Sequence, residues 1–195
     1  MRMKITIGVM GSASDAGEGP PGDALRGKAS ALGQVLAGRG VILMTGATSG
    51  IVYLVGKTAQ ASGVFHVGVS PAASQAEHVE RYQLPRDACD LIVYTGFGLK
   101  GRNVVLVRSC EIVIFIAGAM GSLNEFTIAL DEGKVIGCLT GTGGVADEAE
   151  YLLQKFSKET GAIVIQNHHP ERLLDGCLTA LRPGDCVLPL KPKVM

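Results

Sequence analysis

The sequence carries little charge and no excess of either sign. Charged residues make up 18% of its 195 positions, with 18 Lys and Arg against 18 Asp and Glu. A protein that binds a nucleic-acid backbone normally presents a clear positive patch. The short basic tail at 191–193 does not supply one. We therefore expect no nucleic-acid partner.

Long hydrophobic segments and paired cysteines are also missing. No apolar run approaches the roughly 20 residues that span a membrane, and the N-terminus lacks the pattern of a signal peptide. No two cysteines form a C-x-x-C pair, and their odd number argues against a disulfide framework. These features are typical of a reducing cytoplasm, so we expect a cytoplasmic protein without a membrane partner. The five cysteines are Cys89, Cys110, Cys138, Cys177 and Cys186.

Short apolar runs alternate with segments of helical period. Most of these runs are continuous in Val and Ile, which suits strands buried on both faces of a parallel sheet. The predicted strands are 4–10, 41–45, 65–69, 91–94, 112–116, 135–139 and 162–165. The predicted helices are 23–37, 50–61, 102–109, 122–131, 147–160 and 170–181.

This alternation predicts an α/β protein, with a single Rossmann-like doubly wound domain and a mostly parallel sheet of about seven strands flanked by helices. We assign residues 1–182 to the domain and 183–195 to a C-terminal tail. Gly161 is expected to cap the fifth helix, and Pro170 to lie in the first turn of the sixth.

Two long polar stretches, 11–22 and 70–86, interrupt the alternation. Long loops in compact domains are usually functional or disordered, so the second is a candidate lid. His78 lies within it and is expected to be solvated. His168 and His169 are adjacent, and their side chains are expected to diverge into solvent, so we predict no metal site.

Four predicted strands end in turns of small residues. Ligands of open α/β sheets bind in the crevice at the carboxyl ends of the strands. Glycine admits a phosphate close to the backbone, and a helix N-terminus offers free N–H groups. A single glycine turn is explained by the need to reverse the chain. Four such turns at the same edge of the predicted sheet indicate a ligand crevice instead. No G-x-G-x-x-G follows the first strand, and no P-loop lysine follows any turn. The predicted ligand- and phosphate-binding residues are Gly11, Ser12, Gly46, Ala47, Thr48, Gly50, Gly96, Gly118, Ala119, Met120, Gly121 and Ser122.

The run at 112–125, IVIFIAGAMGSLNE, joins a buried strand to a glycine turn and a helix. We expect Glu125 in the first turn of that helix, facing the crevice. A carboxylate there also suits capping or the helix dipole, and position alone does not separate the two roles.

The segment AGAMGSLNE resembles the PGGxGTxxE signature of the lonely-guy (LOG) proteins, which are often mislabelled lysine decarboxylases. IGVMGSASD and TGATSGIV resemble the first two glycine turns of that family. The run from TGFGLKGRN to GSLNE looks closest to a sister branch that includes molybdenum-cofactor carrier proteins. The resemblance extends over about residues 4–182.

The resemblance implies hydrolysis of the N-glycosidic bond of a nucleoside 5′-monophosphate, with Arg102 and Glu125 as the catalytic pair. Glu125 would stabilise positive charge on the ribose or orient water. Arg102 would position the phosphate or assist departure of the base. Asn103 also joins the ligand-binding set, and Ser122 keeps the hydroxyl of the family threonine.

The sequence departs from the family pattern at several turn positions. Ala117 replaces proline, Thr45, Ala47 and Ala119 replace glycines, and Asn103 replaces lysine. These changes weaken the case for turnover more than the case for binding.

Two hypotheses therefore stay open. One is a nucleotide ribohydrolase, and the other is a non-catalytic carrier of molybdenum cofactor or a related phosphorylated pterin. No lysine lies in a recognisable pyridoxal-phosphate motif, so we expect no lysine decarboxylase. We expect no required cofactor, although a nucleotide or molybdopterin-type ligand fits the pattern. The family also implies a homo-oligomer, dimer or tetramer.

Overall fold

Seven strands form one parallel sheet in the order β4-β3-β2-β1-β5-β6-β7. The computed structural model describes residues 3–156 and 158–181, and the predicted tail at 183–195 lies outside them. Every strand pairing is parallel, which confirms the predicted α/β class. The strands are β1 (Thr6–Gly11), β2 (Ile42–Thr45), β3 (Phe65–Ser70), β4 (Leu91–Tyr94), β5 (Ile112–Ile116), β6 (Val135–Leu139) and β7 (Ile163–Asn167).

Helices cover both faces of the sheet. The first, second and sixth helices pack on one face, and the third, fourth and fifth pack on the other. The chain reverses its direction of winding between β1 and β5, which makes their carboxyl ends the switch point where ligands bind in such sheets. The helices are α1 (Pro20–Val35), α2 (Gly50–Ala61), α3 (Gly98–Arg108), α4 (Met120–Asp131), α5 (Gly144–Lys155) and α6 (Pro170–Ala180).

The central strand β5 explains why the apolar runs show no alternation. All five of its residues are buried, with Ile112, Ile114 and Ile116 in one core and Val113 and Phe115 in the other. Successive side chains of a strand point to opposite faces, so a strand covered on both faces is apolar throughout.

Helix boundaries differ from the predicted ones at several ends. α1 begins three residues early, at Pro20, because prolines suit the first turn of a helix. α5 ends at Lys155 rather than at 160, because the chain must reach β7, where Ile163 pairs with Val135. Gly161 has positive φ but does not cap α5. α3 begins four residues earlier than predicted and α4 two residues earlier.

His78 is buried, so its predicted solvation is wrong. It lies in a π-helical turn, Glu77–Arg81, within the second polar stretch. Its Nε2 bonds the Pro85 carbonyl at 3.1 Å, so Nδ1 accepts from the Ser70 hydroxyl at 2.8 Å. These bonds tie the stretch to the end of β3.

His168 and His169 are exposed, as predicted, but their side chains do not diverge. Their ring centroids lie 3.9 Å apart. None of the helices in the described ranges 3–156 and 158–181 combines the length and hydropathy that a bilayer crossing requires.

Candidate functional site

A cavity of about 270 Å³ opens at the carboxyl ends of β1, β2 and β5. It lies at the switch point of the sheet, where the four glycine turns lead us to expect a crevice. Ten residues of the predicted set line it: Gly11, Ser12, Gly46, Thr48, Arg102, Asn103, Ala119, Gly121, Ser122 and Glu125.

Five residues of the predicted set do not line the cavity: Ala47, Gly50, Gly96, Gly118 and Met120. Gly96 donates its N–H to the carbonyl of Ala72 at 2.9 Å. Met120 is 74% exposed. Gly50 packs against the backbone of Ala13, so it shapes the turn after β1.

Arg102 joins the ends of two strands. Its Nη1 donates to the carbonyl of Gly46 and, at 3.2 Å, to that of Val69. A Cβ at position 46 would overlap the guanidinium, which explains the glycine there. Burial lowers the pKa of Arg102, and the nearby charge of Glu125 opposes that shift. Within the described chain, Arg102 Nε has no hydrogen-bond partner.

Thr45 and His66 fix the turn after β2. Thr45 Oγ1 accepts the N–H of Ala47 at 3.3 Å and donates to His66 Nε2 at 2.8 Å. His66 Nδ1 donates to the carbonyl of Ala88. Burial lowers the pKa of His66, which favours the neutral ring that this network requires. Ala47 is thereby held at φ 48°, in the left-handed region that favours glycine.

The N-terminus of α2 is already occupied. Ile51 and Val52 donate their N–H groups to the carbonyl of Ser12, at 3.1 and 3.4 Å. The Ser49 hydroxyl donates to the carbonyl of Ala13 at 2.9 Å. The turn after β2 therefore offers fewer free donors than its glycines suggest.

The N-terminus of α4 is open by comparison. No side chain in the described chain caps it. The Ser122 hydroxyl donates instead to the carbonyl of Gly11 at 3.0 Å and holds the turn against β1. The first N–H groups of a helix have no partner within the helix, and together with its dipole they favour an anion. Gly121 and Ser122, in this first turn, line the cavity.

Glu125 is the sixth residue of α4, so its predicted place in the first turn is wrong. The side chain is 7% exposed and lines the cavity. Burial raises its pKa to about 7, although the positive charges of Arg102 and Lys100 act in the opposite direction. A carboxyl group that titrates near neutral pH suits proton transfer better than capping.

Lys100 lines the cavity and is absent from the predicted set. The prediction misses it because it begins α3 at Arg102, whereas the helix begins at Gly98. Lys100 and Asn103 are three residues apart and share a helix face. Asn103 donates its side-chain N–H to Asn124 Oδ1 at 2.8 Å. Glycines at 96 and 98, both with positive φ, are the sequence signal for the earlier start.

In residues 3–156 and 158–181, no group of three or more His, Cys, Asp or Glu side chains is placed to hold a metal ion.

The parallel sheet and the cavity at its switch point define the class: a Rossmann-like α/β protein with a crevice at the carboxyl edge. Within that class, the chain belongs to the SLOG cluster4 family, whose model matches residues 4–174. The family match confirms the resemblance to the LOG-like proteins.

Solved structures show the same fold. The structural-genomics target TM1055 superposes with a TM-score of 0.78 at 24% identity, covering 91% of this chain and 99% of that one. The molybdenum cofactor binding protein of Rippkaea orientalis gives 0.69 at 23% identity, covering 93% and 100%. The molybdenum cofactor carrier protein of Chlamydomonas reinhardtii gives 0.67 at 25% identity, covering 90% and 99%.

A relative in sequence comes from Archaeoglobus fulgidus, an uncharacterised protein that is 30% identical over 108 residues. The match covers 55% of this chain and 66% of that protein. The chain thus spans slightly under two thirds of that relative's length.

Proposed function

We propose that this protein binds a phosphorylated small molecule of nucleotide or pterin type in the cavity between β1, β2 and β5. The observation that carries the proposal is the uncapped N-terminus of α4, which opens on that cavity. Hydroxyl groups of Ser12 and Thr48 and the cations Lys100 and Arg102 line the same space. A small cavity with a few converging donors suits an anionic group.

A carrier role is the first form of this proposal, with molybdenum cofactor as the ligand. Two proteins of the same fold are named for binding or carrying that cofactor. The Nη1 group of Arg102 is engaged by two backbone carbonyls, so it acts as a positioning residue. Ala119 places a methyl group on the cavity wall where the LOG signature has glycine. The engaged guanidinium of Arg102 and the methyl group of Ala119 weaken the case for hydrolysis. A carrier only has to retain its ligand, so these two features do not count against it.

Hydrolysis of a nucleoside 5′-monophosphate is the second form, and Glu125 favours it. Its carboxyl group is buried in the cavity wall and its pKa is raised to about 7. Such a group orients a water as the carboxylate and stabilises positive charge that develops on the ribose. Arg102 lies close enough to act on the charge of Glu125.

One experiment separates the two forms. Purified protein is incubated with purine nucleoside 5′-monophosphates and, separately, with molybdenum cofactor. Native mass spectrometry measures the retained ligand, and chromatography measures the free base. A carrier retains the cofactor and releases no base. A hydrolase releases base, and Glu125→Gln abolishes the release.

Glu148→Gln is the matched control, because Glu148 is an exposed carboxylate on α5 and does not line the cavity. It should leave both readouts unchanged. If neither a nucleotide nor the cofactor is retained or turned over, the proposal is wrong.

A further inference from the structure

Lys100 stands beside the first turn of α4. Its Nζ lies 3.9 Å from the position that a Cβ on Gly121 would take. The side chain is exposed at the cavity rather than buried in the wall. Within residues 3–156 and 158–181, its ammonium forms no ion pair or hydrogen bond with a protein group. Its three donors therefore face the cavity without an acceptor from the described chain.

The other cation of the cavity is placed differently. Arg102 is 8% exposed, and its Nη1 is engaged by the carbonyls of Gly46 and Val69. These bonds hold strand ends together and fix the guanidinium in place. Of the cations that line the cavity in the described chain, Lys100 alone is both accessible and unengaged.

We propose that Lys100 neutralises the phosphate of the ligand and sets the preference for phosphorylated over unphosphorylated molecules. This inference rests on the proposed function and assigns the phosphate to the α4 side of the cavity. There the ammonium and the partial positive charge of the helix N-terminus act on the same anion. The flexible stem of a lysine lets the charge follow the phosphate as it enters.

The charge of Lys100 also reaches Glu125. Its charge lowers the pKa of Glu125, together with the charge of Arg102. Lys100 is therefore within electrostatic reach of the carboxylate on the cavity wall. A phosphate bound between the two would be attracted by Lys100 and repelled by ionised Glu125.

The test is calorimetric titration of the wild-type protein and Lys100→Gln with AMP, inorganic phosphate and adenosine. We expect Lys100→Gln to bind AMP and phosphate about tenfold more weakly, the loss of one charge-assisted hydrogen bond. Adenosine affinity should not change. The salt dependence of AMP binding should become shallower, because one charge is gone.

Lys155→Gln is the matched control, since Lys155 is an exposed lysine in the last turn of α5 and does not line the cavity. It should bind all three probes as the wild type does. Equal AMP affinity for wild type and Lys100→Gln would overturn the inference. So would equal losses for AMP and adenosine, which would indicate a role in packing.

The inference about Lys100 and the proposed function can be disproved independently of each other. If the wild type retains molybdenum cofactor but binds neither AMP nor phosphate, native mass spectrometry of Lys100→Gln with the cofactor is the test, and equal retention by the two proteins means that the role of Lys100 is wrong and the carrier proposal stands. If the wild type binds none of these molecules, both are wrong.

Discussion

The glycine turns after β5 and β6 lie at the same edge of the sheet, but their backbone N–H groups differ: those after β6 are bonded to a side chain, and those at the start of α4, after β5, are not bonded to any side chain of the described residues. In the turn after β6, at 140–144, the backbone N–H groups already donate to a side chain of the protein, and we call it the filled turn; the turn after β5, at 117–121, is the open turn. The carboxylate of Asp147 accepts the N–H groups of Gly141 and Gly143 at 2.7 and 2.8 Å. In the described part of the chain, no carboxylate fills the turn after β5, because Glu125 lies in the second turn of its helix.

The filled turn supports the open one. Val145 and Ala146, in the first turn of α5, donate their N–H groups to the carbonyls of Gly118 and Ala117, at 3.0 and 3.2 Å. The N–H of Ala117 is bonded in return by the Thr142 hydroxyl at 2.8 Å. Both turns are rich in glycine and look alike in sequence. They differ in the position of the acidic residue: Asp147 is close enough to occupy the turn before α5, whereas Glu125 lies too far along α4 and leaves its turn free for an anion.

The largest expected effect comes from a side chain placed in the open turn. Gly118 has φ 101°, and a Cβ there would lie 2.6 Å from that of Ser122. Gly118→Ala should lower the free energy of unfolding by about 3 kcal/mol through backbone strain and overlap. Gly143→Ala is the control, because its φ is 81° but no atom of residues 3–156 and 158–181 lies within 4 Å of the added Cβ. It should cost about 1 kcal/mol. Equal losses in urea unfolding would remove this contrast between the turns.

Glu125→Gln tests, through the pH dependence of stability, the buried carboxyl group that lies one helical turn beyond the open turn. The folded-state pKa of Glu125 is raised from 4.5 to about 7. Its contribution to stability is therefore complete below pH 4.5 and is lost as the pH rises through about 7. From pH 5 to 8 the wild type should lose up to roughly 3 kcal/mol relative to Glu125→Gln. Chemical unfolding at several pH values measures this difference. Parallel profiles for the two proteins would contradict a buried carboxyl group.

The smallest effect is expected at the filled turn. Asp147→Ala removes the acceptor of two exposed N–H groups that water then solvates, so the loss should be about 1 kcal/mol. Added sulfate should raise the melting temperature of the variant more than that of the wild type, because the turn is now open. Asp147→Asn, which keeps one oxygen acceptor, should lie between them. A sulfate effect of equal size in all three proteins would show that the turn does not bind anions even when empty.

The strands were predictable because their signal is local. Runs such as those of β4, β5 and β6 are found with their predicted ends. Helix starts were harder, because the N-cap residues of α3 and α4 are Phe97 and Ala119, whose side chains offer no hydrogen-bond acceptor. The usual Ser, Thr or Asp signal is therefore missing at the two starts that matter most for the site.

The position of the site was predictable because glycine turns are a local signal. Its detailed contacts were not, because they depend on helix starts and on partners far along the chain. Glycine turns after parallel strands locate the crevice, and the family signature singles out Arg102 and Glu125. Lys100 was missed because the predicted helix begins at Arg102, which leaves Lys100 in the preceding loop, whereas α3 begins at Gly98. The contacts of Arg102 and His66 reach partners far along the chain, and no local pattern reports them.

The bond between the Ser122 hydroxyl and the Gly11 carbonyl joins residues 111 positions apart in the chain. During synthesis, the cavity wall therefore cannot close until β5 and the start of α4 have left the ribosome. Closing so long a loop carries an entropic cost that local contacts do not offset. A ligand held there recognises only the assembled sheet, so it stabilises the folded chain by an amount that grows with the ratio of its concentration to its Kd. A fragment that ends before residue 122 should neither bind nor be protected by the same molecule.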